Sequence, residues 1–174
     1  QGNYRDTLKT FQGCDSIVFT NLTVNPFEVR INANKQTDLC AGDSISLNTV
    51  LNGGLAPFRY SWTNGSITNS SWIKTTGDHM VTVRDRLGCQ DTAKLGIRIG
   101  VPLKLLSTKK TIACFGDSTG SIEIQASGGL GPHQYLWSTG SMTDRISELP
   151  AGRYGITVTD VANCSISENL TLDQ

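Results

Sequence analysis

Five cysteines are the residues whose spacing in this chain most directly indicates chemistry. Cys14, Cys89 and Cys164 follow one another at intervals of 75 residues, and Cys40 and Cys114 are 74 residues apart. Thiols spaced so regularly, with no CxxC pair among them, favour disulfides formed in an oxidising compartment. The alternative is a cytosolic chain in which the same thiols are reduced and buried.

The cysteines belong to an internal repeat with a period of about 75 residues. Cys40–Ser44 recurs as Cys114–Ser118, and both segments contain Gly-Asp-Ser. Gly53–Trp62 recurs as Gly128–Trp137, with Gly-Gly, Pro, Tyr and Trp at matching places. These matches indicate consecutive copies of one structural unit.

The repeat predicts how the chain is divided. Residues 27–100 and residues 101–174 are expected to be two complete modules joined by a short hinge. Residues 1–26 align with the end of each copy, so we expect them to be the C-terminal strands of a preceding, truncated module. The partner of Cys14 is then expected upstream of Gln1.

Strand patterns dominate each copy. Ser121–Ala126 and Tyr154–Val158 alternate polar and apolar residues, which is typical of half-buried strands. Turn signals such as Gly-Gly and Asn-Gly recur about every ten residues, and no segment has a sustained apolar period of 3.6 residues. The sequence therefore predicts an all-β chain of tandem immunoglobulin-like β-sandwich modules.

A module of about 75 residues buries too little apolar surface to be comfortably stable without a cross-link. We expect Cys40 to pair with Cys89 and Cys114 with Cys164, since each pair falls within one copy and occupies equivalent positions. Closing a loop of about 50 residues would stabilise a module by roughly 4 kcal/mol.

Aromatic residues recur along one strand of each copy and are predicted to lie in the core, as a Trp does in an immunoglobulin-like sandwich. The predicted core aromatics are Tyr60, Trp62, Tyr135, Trp137 and Tyr154. The alternative is an exposed platform on which sugars stack. Trp72 has Ser147 as its equivalent and is therefore the candidate ligand contact.

Metal sites are not expected. Zinc needs four ligands, whereas His79 and His133 are isolated and occupy different places in the repeat. Aspartates recur at turns, including Asp85 and Asp160, and calcium binding is the alternative to their capping of those turns. No other cofactor is indicated.

Catalysis, nucleic-acid binding and membrane insertion are also not expected. Gly116–Gly120 resembles the nucleophile segment of trypsin-like proteases, but Gly-Asp-Ser recurs in the other copy as a turn and no oriented base accompanies it. Fifteen basic and fifteen acidic side chains leave no net charge for gripping nucleic acid. No apolar run approaches the roughly 20 residues that span a bilayer.

The second copy resembles the SprB-type repeat of gliding-motility adhesins of Bacteroidota. The resemblance covers residues 112–172 and is carried by Cys114–Ile122, Tyr135–Gly140 and Leu149–Tyr154, while residues 38–99 resemble a diverged copy. It implies a long protein that is exported by the type IX system to the cell surface or the medium, and it supports the disulfides.

The expected function is therefore structural and non-enzymatic. The modules would space or assemble an extracellular adhesin or filament, with neighbouring modules, other copies in a fibre, and surface glycans or proteins as partners. The alternative is a glycan- or protein-binding accessory module of a secreted enzyme.

Overall fold

The computed structural model describes residues 2–9, 15–22, 26–114 and 116–173, with side chains described from residue 26 onward. These residues form β-strands and no helix, so the predicted all-β class is confirmed. The strands are β1 Gly2–Lys9, β2 Asp15–Leu22, β3 Glu28–Ala33, β4 Asp38–Leu39, β5 Ile45–Asn52, β6 Arg59–Trp62, β7 Ser70–Ile73, β8 Gly77–Arg84, β9 Gln90–Ile99, β10 Val101–Lys110, β11 Gly120–Gly129, β12 Gln134–Trp137, β13 Arg145–Leu149, β14 Gly152–Thr159 and β15 Ser165–Leu172.

The chain forms two compact units whose boundaries differ from those of the repeat. Unit 1 comprises residues 1–31, 49–69 and 80–94, and unit 2 comprises residues 32–48, 70–79 and 95–174. The whole second repeat copy, 101–174, lies within unit 2. The predicted module boundaries at residues 26 and 100 stay predictions.

The strands pair in the manner of β-sandwiches. In the second copy, one sheet has the order β10-β11-β13 and the other β12-β14-β15. In the first copy the orders are β3-β5-β7 and β4-β9-β8-β6, with β4 and β9 parallel. Strands β1 and β2 form an antiparallel pair in which Gly2 lies opposite Leu22.

The core of the second copy is built by alternation along its strands. In β14, buried Tyr154, Ile156 and Val158 alternate with residues that are partly exposed, because successive side chains of a strand point to opposite faces. They pack with buried residues from both sheets, including Ile122 of β11 and Leu170 of β15. A single core therefore holds the two sheets together.

A tryptophan occupies the same place in each copy. Trp62 and Trp137 are 3% and 2% exposed. The indole Nε1 of Trp62 donates to the Thr68 carbonyl at 2.9 Å, and that of Trp137 donates to the Thr143 carbonyl at 2.8 Å. Each ring fills a core and satisfies its polar atom six residues along the chain, as a buried Trp requires.

A second recurring contact closes the turn before the penultimate strand of each copy. The hydroxyl of Tyr154 donates to the Pro150 carbonyl at 2.8 Å, as in the tyrosine corner of immunoglobulin-like domains. His79 stands 75 residues earlier and is buried, with Nε2 2.9 Å from the Thr75 carbonyl. Histidine therefore replaces tyrosine in the first copy, and each side chain contacts the carbonyl of the residue four positions earlier.

Gly128 is a position where the backbone accepts no side chain. Its φ is +81°, and an added Cβ would lie 2.1 Å from the Pro102 carbonyl oxygen. We expect Gly128→Ala to lower the free energy of unfolding of unit 2 by about 2–4 kcal/mol, because left-handed strain and a backbone clash add. Chemical denaturation followed by tryptophan fluorescence measures this loss.

Gly131→Ala is the matched control for this substitution. An added Cβ at Gly131 meets nothing within 4 Å, and the first copy has Ala56 at the equivalent place. This variant should unfold within about 0.5 kcal/mol of the unchanged chain. Equal losses for the two variants would contradict the close approach at Gly128.

Candidate functional site

One disulfide joins residues of the two repeat copies. Cys40 is bonded to Cys164, 124 residues later, with their Cα atoms 5.5 Å apart. Both residues are half-buried and belong to unit 2. Cys89 and Cys114 are free thiols at the surface, while Cys14 lies outside the described residues.

The predicted pairs Cys40–Cys89 and Cys114–Cys164 are therefore wrong. In the second copy the reason is strand geometry. Cys164 immediately precedes the first residue of β15. Cys114 lies two residues after Ile112, which belongs to the same core cluster as Leu172, the last residue of β15. Eight residues of extended strand span about 24 Å from first to last Cα. A disulfide needs Cα atoms roughly 4.4–6.8 Å apart, so two cysteines at opposite ends of β15 cannot meet.

A buried aspartate holds the turn that carries Cys164. Asp160 is 4% exposed. Its Oδ1 accepts from the backbone N–H groups of Ala162 and Cys164, both at 2.9 Å, and its Oδ2 accepts from the Leu130 N–H at 2.8 Å. One carboxylate thus fixes the β14–β15 turn and ties it to the loop after β11.

The first copy has the same arrangement around Cys89. Asp85 Oδ1 accepts from the N–H groups of Leu87 (2.9 Å) and Cys89 (2.8 Å), and Oδ2 accepts from Leu55 (3.1 Å). These recurring aspartates therefore cap turns, which was the alternative to calcium binding. In the part of the chain that the structure describes, no three His, Cys, Asp or Glu residues come together as metal ligands.

The loop that carries Cys40 is fixed at the end of the first copy. The Leu39 carbonyl accepts from the Gly100 N–H, and the Thr37 carbonyl accepts from the Arg98 N–H, both at 2.9 Å. Cys40 itself opens a turn in which its carbonyl accepts from the Asp43 N–H at 3.1 Å. Both sulfur atoms of the disulfide therefore project from turns held by backbone hydrogen bonds.

An ion pair reinforces the same loop. Arg98 and Asp38 face each other between β4 and β9 and are joined by hydrogen bonds from the guanidinium. These bonds hold the pKa of the Asp38 carboxyl below its ordinary value. A lowered pKa means that the pair stabilises the fold at neutral pH and loses this effect as the pH falls through that pKa. Because the Arg98 side chain is exposed and the Asp38 side chain is only partly buried, the contribution is small.

The cross-link lies beside further contacts between the two copies. Gln36 Nε2 donates to the Ala162 carbonyl at 3.1 Å. A shallow hollow of about 370 Å³ adjoins the disulfide. Its lining consists of Cys40, Ala41, Val101, Leu103, Asp160, Asn163, Cys164, Ser165 and Ile166. The hollow is lined by apolar side chains and by the Asp160 carboxylate, whose oxygens already accept backbone hydrogen bonds. Such a lining suits contact with apolar groups.

The predicted aromatic residues lie in two kinds of place. Trp62, Trp137 and Tyr154 are buried, and Tyr60 and Tyr135 are half-buried. Trp72, the candidate ligand contact in β7, is 64% exposed.

The bond between copies was not expected from the sequence. Turn capping by the aspartate four residues before each turn cysteine was expected, with calcium binding as the alternative. Its further hydrogen bond, to the Leu55 N–H in the first copy and the Leu130 N–H in the second, was not expected. The recurrence of Asp85 and Asp160 was the available signal, since a residue kept at a turn four places before a cysteine can reach that cysteine's N–H.

Comparison with known proteins places the fold among immunoglobulin-like domains. The N-terminal eight Ig domains of Down Syndrome Cell Adhesion Molecule, isoform 1.30.30, share 12% identity at a TM-score of 0.61, over 99% of this chain and 31% of that chain. Murine CEACAM1b shares 16% identity at a TM-score of 0.51, over 84% of this chain and 99% of that one. At these identities the likeness defines the fold alone, and it confirms the predicted immunoglobulin-like class.

A fragment of intimin shares the same architecture. The C-terminal 282-residue fragment of intimin, crystallised with the intimin-binding domain of its translocated receptor, shares 16% identity at a TM-score of 0.55. The match covers 82% of this chain and 63% of that chain. The chain thus spans about a third of the DSCAM structure and under two thirds of the intimin fragment.

The family comparison matches part of the second copy. Residues 106–142 are similar to the SprB repeat, which confirms the predicted resemblance over those residues. No curated protein matches the chain. Among the described residues, no helix is long and apolar enough to cross a membrane.

Proposed function

We propose that this chain is a non-enzymatic structural segment of a large secreted or cell-surface adhesin or filament. Tandem immunoglobulin-like copies would space or assemble an extracellular fibre used for attachment. The SprB repeat at residues 106–142 and the immunoglobulin-like fold support a structural repeat of this kind. The observation that carries the proposal is the disulfide between Cys40 and Cys164.

The position of this bond suggests resistance to pulling force. Cys40 lies near the start of the first complete copy and Cys164 near the end of the second, with 124 residues of sequence separation. Force applied at the two ends of the chain passes directly through the S–S bond. Strands between the two cysteines are thereby shielded, which is the property that a fibre under shear requires.

Single-molecule stretching tests this role. Under oxidising conditions the residues between Cys40 and Cys164 should not extend. Reduction, or Cys40→Ser with Cys164→Ser, should lengthen the fully stretched chain by about 42 nm, which is 124 residues at about 3.4 Å each. The control is Cys89→Ser with Cys114→Ser, which should leave the stretched length unchanged. Equal lengths with and without reductant would contradict the mechanical role.

A binding role is the second candidate, and Trp72 favours it. Its indole is 64% exposed on β7, and an exposed aromatic ring can stack on a sugar. If the chain recognises glycans through this ring, Trp72→Ala should abolish binding on a glycan array, whereas Leu136→Ala, at an exposed apolar residue of β12, should leave it intact. Absence of binding by the unchanged chain across a broad array would refute this candidate.

A further inference from the structure

Two exposed thiols of this chain occupy positions whose repeat equivalents are cross-linked. Cys114 is the equivalent of Cys40, and Cys89 is the equivalent of Cys164. Cys40 and Cys164 are bonded to each other and half-buried, whereas Cys89 and Cys114 are free and exposed. Each of these two repeat positions is therefore disulfide-bonded in one copy and a free thiol in the other.

The observed bond has a direction along the chain. The early cysteine of one copy, Cys40, is joined to the turn cysteine of the copy that follows, Cys164. We propose that Cys114 and Cys89 each form the same kind of cross-link with a further copy of the repeat. Cys114 would bond the turn cysteine of a following repeat copy, and Cys89 the early cysteine of a preceding one. The partner is a further copy of the repeat, so this inference rests on the proposed structural role.

The surface around Cys89 is already shaped for this partner. Asp85 holds the Cys89 turn with the same three hydrogen bonds by which Asp160 holds the Cys164 turn. Within that turn, Ala162 is 4% exposed beside the cross-link, while its equivalent Leu87 is 71% exposed. A large apolar side chain at the surface, next to a preformed cysteine turn, is a surface that an adjoining copy would cover.

The surface around Cys114, the early cysteine of the second copy, also matches its equivalent in the observed cross-link. Gln36 donates across the observed junction to the Ala162 carbonyl. Its equivalent, 74 residues later, is Lys110, an exposed side chain that also ends in an N–H donor. Cys114 and Lys110 therefore offer a following copy the sulfur and the donor that Cys40 and Gln36 offer to the second copy.

The proposed bond is an oxidation, and its balance is simple. Two thiols lose two protons and two electrons as one S–S bond forms. A disulfide donor takes them up and is cleaved to two thiols. Oxidised glutathione serves as that donor in the experiment below and leaves as two molecules of reduced glutathione.

The experiment uses the full chain followed by a second copy of residues 25–174. With this junction, eleven residues lie between Cys164 and the Pro26 of the appended segment, as eleven lie between Cys14 and Pro26 in the 174-residue chain. After refolding in a glutathione redox buffer and alkylation, trypsin should release residues 111–145 disulfide-linked to residues 87–94. This peptide pair joins Cys114 to Cys89.

Matched variants assign the bond to its copy. Cys114→Ser in the leading 174-residue segment should abolish the linked pair. The same substitution in the appended segment, residues 25–174, should leave the pair intact. Full alkylation of Cys114 and Cys89, or a link from Cys114 to Cys164, would overturn the inference. If the Cys40–Cys164 link is present in that digest, the proposed function stands; if it is also absent, both fail.

Discussion

Replacing Cys40 and Cys164 together by Ser should lower the free energy of unfolding of unit 2 by about 5 kcal/mol. The bond closes a loop with a sequence separation of 124 residues, and the chain-entropy model assigns about that stabilisation to so long a loop. This is a large share of the 5–15 kcal/mol that stabilises a typical domain. Guanidinium unfolding followed by tryptophan fluorescence, under oxidising conditions, measures the loss.

The exposed cysteines provide the control. Cys89→Ser and Cys114→Ser remove free surface thiols and should change the free energy of unfolding by less than about 0.5 kcal/mol. Reduction of the unchanged chain should reproduce the loss seen in the Cys40 and Cys164 variant. A comparable loss on replacing Cys89 or Cys114 would instead indicate bonds within each copy.

Asp160→Ala should cost about 3–5 kcal/mol in the unfolding of unit 2. The carboxylate is 4% exposed and accepts three backbone N–H bonds, so its removal leaves one buried and two partly buried donors without an acceptor. Asp160→Asn should cost about 2–4 kcal/mol, because an amide presents one oxygen to the N–H groups and a competing donor beside it. Denaturant unfolding under oxidising conditions measures both losses.

A second recurring aspartate, Asp117, provides a control that distinguishes the hydrogen bonds of Asp160 from its negative charge. Asp117 also recurs in the repeat, but its side chain is exposed. Asp117→Asn removes the same charge and should alter stability by less than about 0.5 kcal/mol. If Asp117→Asn and Asp160→Asn were equally mild, the hydrogen bonds of Asp160 would not be what holds the turn.

Much of the fold could be predicted from the sequence because its causes are local. Alternation of polar and apolar residues along Tyr154–Val158 determines which side chains of β14 are buried. The recurring Trp62 and Trp137 indicated a core position, and both indoles are buried with their N–H groups bonded six residues away. Local pattern and repetition are enough for such features, since each is settled within one copy.

The disulfide pairing could not be predicted in this way. A repeat makes Cys40 equivalent to Cys114 and Cys89 equivalent to Cys164, but bonds within a copy and bonds to the next copy satisfy that equivalence equally well. Only distance distinguishes them. The length of β15 separates Cys114 from Cys164, and strand length sets a distance that cysteine spacing does not reveal.

The contact at His79 was also missed, and the reason is chemical. In the first copy His79 stands where the second copy has Tyr154, and the change of residue type hides the shared contact. His79 nevertheless places a ring nitrogen 2.9 Å from the Thr75 carbonyl, as the Tyr154 hydroxyl is placed near Pro150. A different side chain with a polar atom at similar reach fills the same place in the turn.

The most direct test of a structural segment cross-linked between copies is a non-reducing tryptic map of the oxidised 174-residue chain. The chain should yield residues 36–59 linked to residues 154–174 through Cys40 and Cys164, with Cys89 and Cys114 alkylated. Residues 36–59 linked to residues 87–94, together with residues 111–145 linked to residues 154–174, would place both bonds within single copies and contradict the cross-link.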